Sequence, residues 1–145
     1  MMDDRQKLEQ MVNEINMYQD QLEVLNQQME TIKVSLNEMN SAEETLKSIE
    51  GKKGTETFVP IGAGSFIITE LKDTDEVIVG LGAGAAVKKS VNEAKEDISS
   101  QKKELEELVN KMNGDRQKLT DFIVRKSPEA EALLKKLESQ GAQQQ

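Results

Sequence analysis

The chain has 145 residues, of which 36% are hydrophobic and 3% aromatic, so we expect at most one domain and no thick globular core. Its net charge of −8 makes nucleic acid or an anionic membrane surface a poor main partner. Because cysteine and histidine are both absent, the chain lacks disulfides, thiolate nucleophiles, the commonest metal ligand and the usual general base. We therefore expect no catalytic, metal or cofactor site.

The N-terminus, MMDDRQKLEQ, is charged and lacks the apolar segment of a signal peptide. No run of about 18 apolar residues, which a membrane-spanning helix requires, occurs in the sequence. A chain without cysteine also suits a reducing compartment. These features predict a cytoplasmic location without membrane attachment.

The first predicted element is a helix over residues 1–50. Apolar residues alternate in steps of three and four along a heptad seam, which continues through a polar Glu43, and no Gly or Pro interrupts residues 3–50. Gly51, in GKKG, is a typical helix stop. The seam residues are Leu8, Met11, Ile15, Tyr18, Leu22, Leu25, Met29, Ile32, Leu36, Met39 and Leu46.

The middle segment, residues 51–87, has the character of β-hairpins. Its sequence repeats after twenty residues: Val59-Pro60-Ile61-Gly62-Ala63-Gly64 matches Val79-Gly80-Leu81-Gly82-Ala83-Gly84. Each copy consists of a strand-like run, a Gly-Ala-Gly turn and a second run. The segment therefore predicts two hairpins in tandem.

A second helix is predicted over residues 88–138, followed by a frayed tail at 139–145. Pro128 is expected either to kink this helix or to start a new one. The predicted seam includes polar positions and consists of Val87, Val91, Ala94, Ile98, Gln101, Leu105, Leu108, Met112, Asp115, Leu119 and Phe122.

Each helix carries only a narrow apolar stripe and needs a partner. The simplest partner is the other helix of the same chain, running antiparallel. The sequence therefore predicts an α+β fold: a long antiparallel two-helix coiled coil with two β-hairpins between its helices. Polar seam positions such as Glu43, Gln101 and Asp115 would help to set the register.

The stretch Gly80, Gly82, Ala85 also satisfies the G-x-G-x-x-A pattern of dinucleotide-binding loops. That site needs a strand, a crossover helix and a parallel strand with an acidic residue about 20 positions on. Here that position lies inside the second predicted helix, and the first copy of the repeat has Ile67 in place of the third glycine. We therefore interpret these glycines as turn residues.

A coiled coil, two hairpins with Gly-Ala-Gly turns and a second coiled coil resemble the alpha-type subunit of archaeal prefoldin. The resemblance covers nearly the whole chain and is most specific in FVPIGAGSFIITELKDTDEVIVGLGAGAAVKKS, residues 58–90. Beta-type subunits have a single hairpin, so the duplicated turn favours the alpha type.

The resemblance implies a heterohexamer of two alpha and four beta subunits whose hairpins assemble into β-barrels. It also implies that non-native polypeptides are held at the coiled-coil tips without ATP and passed to a group II chaperonin. Open strand edges would support such assembly. The expected subunit interface consists of Phe58, Val59, Ile61, Phe66, Ile68, Val77, Val79 and Leu81.

In an antiparallel pair, the tips are formed by the two chain ends, roughly 60 to 70 Å from the hairpins. These ends carry more apolar side chains than a two-helix seam can bury, which suits weak binding of many unfolded sequences. The alternative is that they cap the coiled coil or touch a neighbouring helix. The expected client-binding residues are Met1, Leu8, Met11, Val12, Ile15, Phe122, Ile123, Val124, Leu133 and Leu134.

A rival interpretation is a structural filament or tether with the same fold, because some alpha-type relatives in the family form filaments. Mixing the chain with a beta-type subunit would separate the two, since a discrete heterohexamer disfavours a filament.

Overall fold

The computed structural model describes residues 3–143. Two long helices, with two antiparallel hairpins between them in the chain, are present as predicted. Met1, one of the expected client-binding residues, lies outside the described range. In chain order the elements are α1 (Asp4–Ser48), β1 (Glu56–Gly62), β2 (Ser65–Glu70), β3 (Glu76–Gly82), β4 (Ala85–Ser90) and α2 (Val91–Gln143).

The chain divides into two compact units, which are described separately below. The chain-end unit comprises residues 3–33 and 107–143. The hairpin unit comprises residues 34–106 and includes all four strands.

Helix α1 begins at a reciprocal cap. The Asp3 side chain accepts a hydrogen bond from the Gln6 backbone N–H at 2.8 Å, and the Asp3 N–H donates to Gln6 Oε1 at 3.1 Å. The helix ends at Ser48, two residues before the predicted end. The Glu50 N–H bonds to the Lys47 carbonyl in a tighter last turn, and Gly51 adopts a φ of 68°.

The heptad seam of α1 is confirmed, because every predicted seam residue from Leu8 to Leu46 is buried or half-buried. In the chain-end unit this seam packs against α2. Tyr18 and Phe122 meet edge to face, with ring centroids 4.4 Å apart. Asp4 forms an ion pair with Lys136 at 3.1 Å. Residues early in α1 thus meet residues late in α2, which makes the two segments antiparallel within this unit.

The helices of the hairpin unit are also antiparallel, since Glu43 pairs with Lys102 at 3.2 Å and Glu50 pairs with Lys95. Their core is a small apolar cluster, which we call the helix-base cluster. It is formed by the buried side chains Leu46, Val91 and Ala94, with Ile49 and Ile98 packed around it.

The boundary between β4 and α2 differs from the prediction. Strand β4 continues to Ser90, and α2 begins at Val91 rather than at residue 88, so Val87 belongs to the sheet and not to the helix seam. The ladder extends because Val77 pairs with Lys89 and Glu76 with Ser90. Ser90 then caps the helix by accepting a hydrogen bond from the Glu93 N–H at 3.1 Å.

The far end of α2 also differs. The helix passes through Pro128 as one element, so no new helix begins there. It extends to Gln143, beyond the predicted end at residue 138. Ala130, which follows Pro128, is buried at 8% exposure. Packing against the partner helix therefore continues past the proline.

Between Ile98 and Met112 the seam of α2 differs from the prediction at two positions, each moved by one residue, while Leu105 stays half-buried as predicted. Gln101 and Leu108, both predicted seam positions, are exposed, while Lys102 and Val109 are half-buried. Lys102 lies toward α1 because it pairs with Glu43. Asp115, another predicted polar seam position, is also exposed.

The two hairpins have the same backbone design. We call β1–β2 hairpin 1 and β3–β4 hairpin 2. Both have a register irregularity one residue before the turn, between Pro60 and Gly62 in hairpin 1 and between Gly80 and Gly82 in hairpin 2. The turn residues Ala63-Gly64 and Ala83-Gly84 all have positive φ, as a two-residue hairpin turn that follows the twist of the strands requires. The predicted sequence repeat is therefore also a structural repeat.

Candidate interaction surfaces

Hairpin 1 is a two-stranded sheet with apolar side chains exposed on both faces. Phe58, opposite Ile68, is 62% exposed, and Ile68 is 68% exposed. On the other face Val59 lies opposite Ile67, and both are exposed as well. An isolated two-stranded hairpin is only marginally stable in water. Hairpin 1 therefore presents an apolar surface without a partner among the described residues.

Hairpin 2 differs because one of its faces is covered. Val77 and Val79 are half-buried and pack against the helix-base cluster. On the same face, Lys89 forms an ion pair with Asp97 of α2. This hydrogen bond and the negative charge of Asp97 raise the pKa of Lys89. The opposite face remains open, with Ile78 71% exposed.

Two of the eight expected subunit-interface residues, Val77 and Val79, thus contact the chain's own helices. The other six are exposed in the described structure: Phe58, Val59, Ile61, Phe66, Ile68 and Leu81. The two hairpins form two separate sheets, so each sheet has an unpaired edge on either side. Unpaired edges are templates for strands of other chains.

The start of hairpin 2 is fixed by a carboxylate. Asp73 Oδ1 accepts hydrogen bonds from the backbone N–H groups of Asp75 at 2.8 Å and Glu76 at 3.3 Å. These bonds favour the charged form and lower the pKa of Asp73, with smaller contributions from the charges of Lys53 and Lys88. Hairpin 1 begins differently, since the Leu71 N–H donates to the Thr55 carbonyl at 2.9 Å and the Gly54 N–H donates to the Leu71 carbonyl at 2.7 Å.

The expected client-binding residues of the chain-end unit have different environments. Ile15 is buried in the helix interface. Leu8, Met11, Phe122, Ile123 and Leu133 are half-buried. Only three side chains of the set are exposed in the described range: Val12 at 41%, Val124 at 66% and Leu134 at 45%. The consecutive residues Phe122, Ile123 and Val124 cannot all face α1, and Val124 is the one directed to solvent.

A groove of about 970 Å³ lies between α1 and α2 within the chain-end unit. Its walls include Met17 and Val24, both about half exposed, together with Leu119 and Phe122. Met17 and Val24 were not among the expected client-binding residues because they lie outside the heptad seam. Their separation of seven residues, which places two apolar side chains on one helix face, was the available signal.

The glycine pattern that resembles a dinucleotide loop has another role. Gly82 ends β3, Ala85 begins β4, and these strands are antiparallel neighbours. The loop is thus a hairpin turn rather than a strand-to-helix turn at a helix N-terminus. Among the described residues no cluster of acidic side chains could hold a metal ion, and no helix is long and apolar enough to cross a membrane.

Comparison with known proteins gives the same architecture. A crystal structure of the prefoldin beta subunit from Thermococcus strain KS-1 matches with a TM-score of 0.62 at 16% identity, covering 91% of this chain and 96% of that one. A filamentous prefoldin from Methanocaldococcus jannaschii matches with a TM-score of 0.54 at 20% identity, covering 86% and 98%. At these identities the structural matches show the fold alone.

Sequence comparison identifies the family. The prefoldin subunit family model matches residues 18–138. The prefoldin subunit alpha of Methanobrevibacter smithii is 48% identical over 132 residues, which cover 91% of this chain and 90% of that protein. The prefoldin subunit alpha of Methanosphaera stadtmanae is 45% identical over 134 residues, covering 92% and 96%. The chain therefore belongs to the prefoldin family of chaperone subunits, and its alpha-type resemblance is confirmed.

Proposed function

We propose that this subunit holds non-native polypeptides at its chain-end unit, without ATP, and passes them to a group II chaperonin. One observation carries the proposal: apolar side chains outside the buried heptad seam remain exposed in the chain-end unit. Val12, Val124 and Leu134 are the exposed members of the expected set, and Met17 and Val24 are two further exposed apolar side chains, which line the groove. Exposed, partly flexible apolar groups suit weak contacts with many sequences.

The hairpins would supply assembly in this proposal. Exposed apolar faces and unpaired edges support closure of a β-barrel with beta-type prefoldin subunits, in a heterohexamer of two alpha and four beta chains. Several copies of the chain-end unit would then act on one client. Multiple weak contacts raise the overall affinity without any single strong site. A cytoplasmic location follows from the same proposal.

The test is an aggregation assay of a chemically denatured client, diluted without ATP into the chain plus a beta-type subunit. We compare the wild type with the triple variant Val12→Ser, Val124→Ser, Leu134→Ser, which changes only exposed side chains. The variant is expected to lose most of the suppression of light scattering. The matched control is Val34→Ser, since Val34 is 58% exposed on α1 but lies in the hairpin unit.

Equal suppression by the triple variant and the wild type would contradict the client-binding proposal. Release to the chaperonin is tested separately, by adding a group II chaperonin and ATP after capture and measuring recovery of client activity. No gain over spontaneous refolding would contradict the delivery step.

A second candidate is a structural filament or tether. The unpaired hairpin edges would also allow open, repeated association of copies. Native mass spectrometry of the chain mixed with a beta-type subunit separates the candidates. A discrete heterohexamer supports the chaperone assembly, whereas a ladder of growing masses without a closed species supports the filament.

A further inference from the structure

Met17 differs from the other methionines of the described chain in its position on the helix. Residues 3–143 contain five methionines, four of which occupy positions of the heptad seam. The four are Met11, Met29 and Met39 in α1 and Met112 in α2. Met17 directly precedes the seam residue Tyr18 and lies outside the seam. The helical period therefore places this one thioether away from the line of contact between the helices.

The exposure of the methionines follows this division. Met29 and Met112 are buried, at 2% and 7% exposure. Met11 and Met39 are half-buried, whereas Met17 is 48% exposed. A dissolved oxidant must reach the sulfur, so susceptibility to oxidation follows exposure. Within residues 3–143, Met17 is thus the methionine most accessible to an oxidant.

The exposed thioether also lines the groove of the chain-end unit. Met17 and Val24 are the exposed apolar residues of the α1 wall, and the other exposed residues of that wall are polar. Tyr18 and Phe122, whose rings meet edge to face, line the same groove. A change in the polarity of Met17 therefore alters one of the two exposed apolar groups on this wall.

We propose that Met17 is a site of reversible oxidation by peroxide, which makes the α1 wall of the groove more polar. A sulfur lone pair attacks one oxygen of hydrogen peroxide, so an S–O bond forms and the O–O bond breaks. After proton transfer the second oxygen leaves as water. The sulfur loses two electrons and the peroxide gains them. Methionine sulfoxide reductases return the sulfoxide to the thioether at the expense of a thiol reductant.

The consequence is weaker client binding, and this part of the inference rests on the proposed function. The sulfoxide oxygen is a polar acceptor, so covering it with an apolar client side chain leaves it without a hydrogen-bond partner. The helix interface stays intact at low peroxide, because Met29 and Met112 are buried. Oxidation at Met17 then lowers client holding without unfolding the chain-end unit.

The first experiment maps oxidation in the full-length chain. Hydrogen peroxide is added in increasing amounts, and sulfoxide at each methionine is measured by peptide mass spectrometry. Sulfoxide at Met17 is expected to form at least about tenfold faster than at Met29 or Met112. In urea the three rates are expected to converge, because the fold sets the difference. Equal rates at the three residues in the folded chain would overturn the proposal.

The second experiment repeats the aggregation assay with oxidised chain. The chain is treated at a peroxide dose that leaves Met29 and Met112 unmodified, the peroxide is removed with catalase, and an untreated beta-type subunit is added. Far-ultraviolet circular dichroism confirms that the helices are intact. Each protein is compared with its own untreated sample. The treated wild type is expected to lose suppression by about twofold or more, and incubation with sulfoxide reductases and dithiothreitol is expected to restore it.

Two variants assign the loss to one sulfur. Treated Met17→Leu is expected to keep the suppression of its untreated sample, since leucine has no sulfur to oxidise. The matched control is Met39→Leu, which removes a half-buried methionine of the hairpin unit and is expected to lose suppression as the wild type does. Met1 and Met2 are present in every variant, so their oxidation cannot produce a difference between the treated proteins.

A loss by treated Met17→Leu equal to that of the wild type would overturn the proposal, as would full suppression by a wild type that carries sulfoxide at Met17. If the untreated wild type suppresses no aggregation, the proposed function fails, and a fluorescent apolar dye replaces the client. Dye fluorescence is then expected to fall on oxidation of the wild type more than on oxidation of Met17→Leu. Equal changes in the two proteins would contradict a change in the groove.

Discussion

The two hairpins share a backbone but differ in environment. Their strand lengths and register irregularities match position by position, and the φ angles of their turn residues are similar. Hairpin 2 rests on the helix-base cluster through Val77 and Val79, while hairpin 1 exposes apolar residues on both faces. A repeated glycine pattern thus determines the shape of each hairpin. The residues facing the helices determine which hairpin is anchored.

Because of this difference, the two hairpins are expected to unfold in different ways. Hairpin 2 is expected to unfold together with the helices on which it packs. Hairpin 1, which lacks such contacts among the described residues, is expected to open at lower free energy in the isolated chain. Elements with few buried apolar contacts are generally the first to open locally. Hairpin 1 is then the element that gains most from a bound partner.

The largest expected effect comes from the helix-base cluster. Leu46→Ala removes a buried side chain beneath hairpin 2 and is expected to lower the free energy of unfolding by about 2 to 4 kcal/mol. The matched change Leu81→Ala, at a residue that is 64% exposed, is expected to cost less than about 0.5 kcal/mol in the isolated chain. Urea unfolding followed by circular dichroism measures both. Similar losses for the two variants would show that hairpin 2 is not anchored at this cluster.

A smaller effect is expected from the turn glycines. Gly64 and Gly84 have φ values of 73° and 78°, and alanine in this region costs about 1 kcal/mol. Gly84→Ala is expected to reduce the stability of the anchored hairpin and the helices together. Gly64→Ala is expected to speed amide hydrogen exchange mainly in β1 and β2. Exchange measured by mass spectrometry distinguishes a local from a shared effect.

The control for this pair is Gly80→Ala. Gly80 has no positive φ, and a Cβ added there meets no atom within 4 Å. The substitution is therefore expected to leave exchange in both hairpins unchanged in the isolated chain. If Gly64→Ala destabilised the helices as much as Gly84→Ala does, both hairpins would be equally coupled to the helices, which would contradict the proposed difference.

Much of the fold could be predicted because local signals agreed. Along α1, apolar residues occupy every seam position except Glu43, so only one phase of the helix buries them. Along α2 the sequence does not decide which residue belongs to the seam at every turn, since Leu108 and Val109 are adjacent and both apolar. The periodicity predicted Gln101 as the seam residue, but Lys102 lies toward α1 instead, where it forms an ion pair with Glu43.

The candidate surfaces were harder to predict because the sequence pattern does not show which face of a strand is covered. Alternation along a strand predicts two faces but does not indicate which one meets the helices, so Val77 and Val79 were grouped with exposed residues such as Leu81. The boundary of α2 was missed although its signal was present. Ser90 followed by Glu93 is a capping-box pattern, but the alternating glycines and alanines before it gave no clear end to β4.

The smallest expected effect is on the pH dependence of stability, and it arises from the different ways in which the two hairpins begin. Only hairpin 2 is preceded, within the described residues, by a carboxylate that accepts backbone N–H bonds, so its stability is expected to depend on the ionisation of Asp73. Because the folded-state pKa lies below the ordinary value of 3.8, the contribution is present above that pH and is lost as pH falls through the lowered pKa.

Nuclear magnetic resonance titration of the Asp73 side-chain carboxyl group is expected to give a midpoint below 3.8. The variant Asp73→Asn keeps an oxygen acceptor for the N–H groups of Asp75 and Glu76 but removes the charge. It is expected to be slightly less stable than the wild type at neutral pH and to lose this difference in acid, while the exchange of hairpin 1 amides stays the same. A stability difference that persists unchanged below the folded-state pKa would show that the charge of Asp73 does not support hairpin 2.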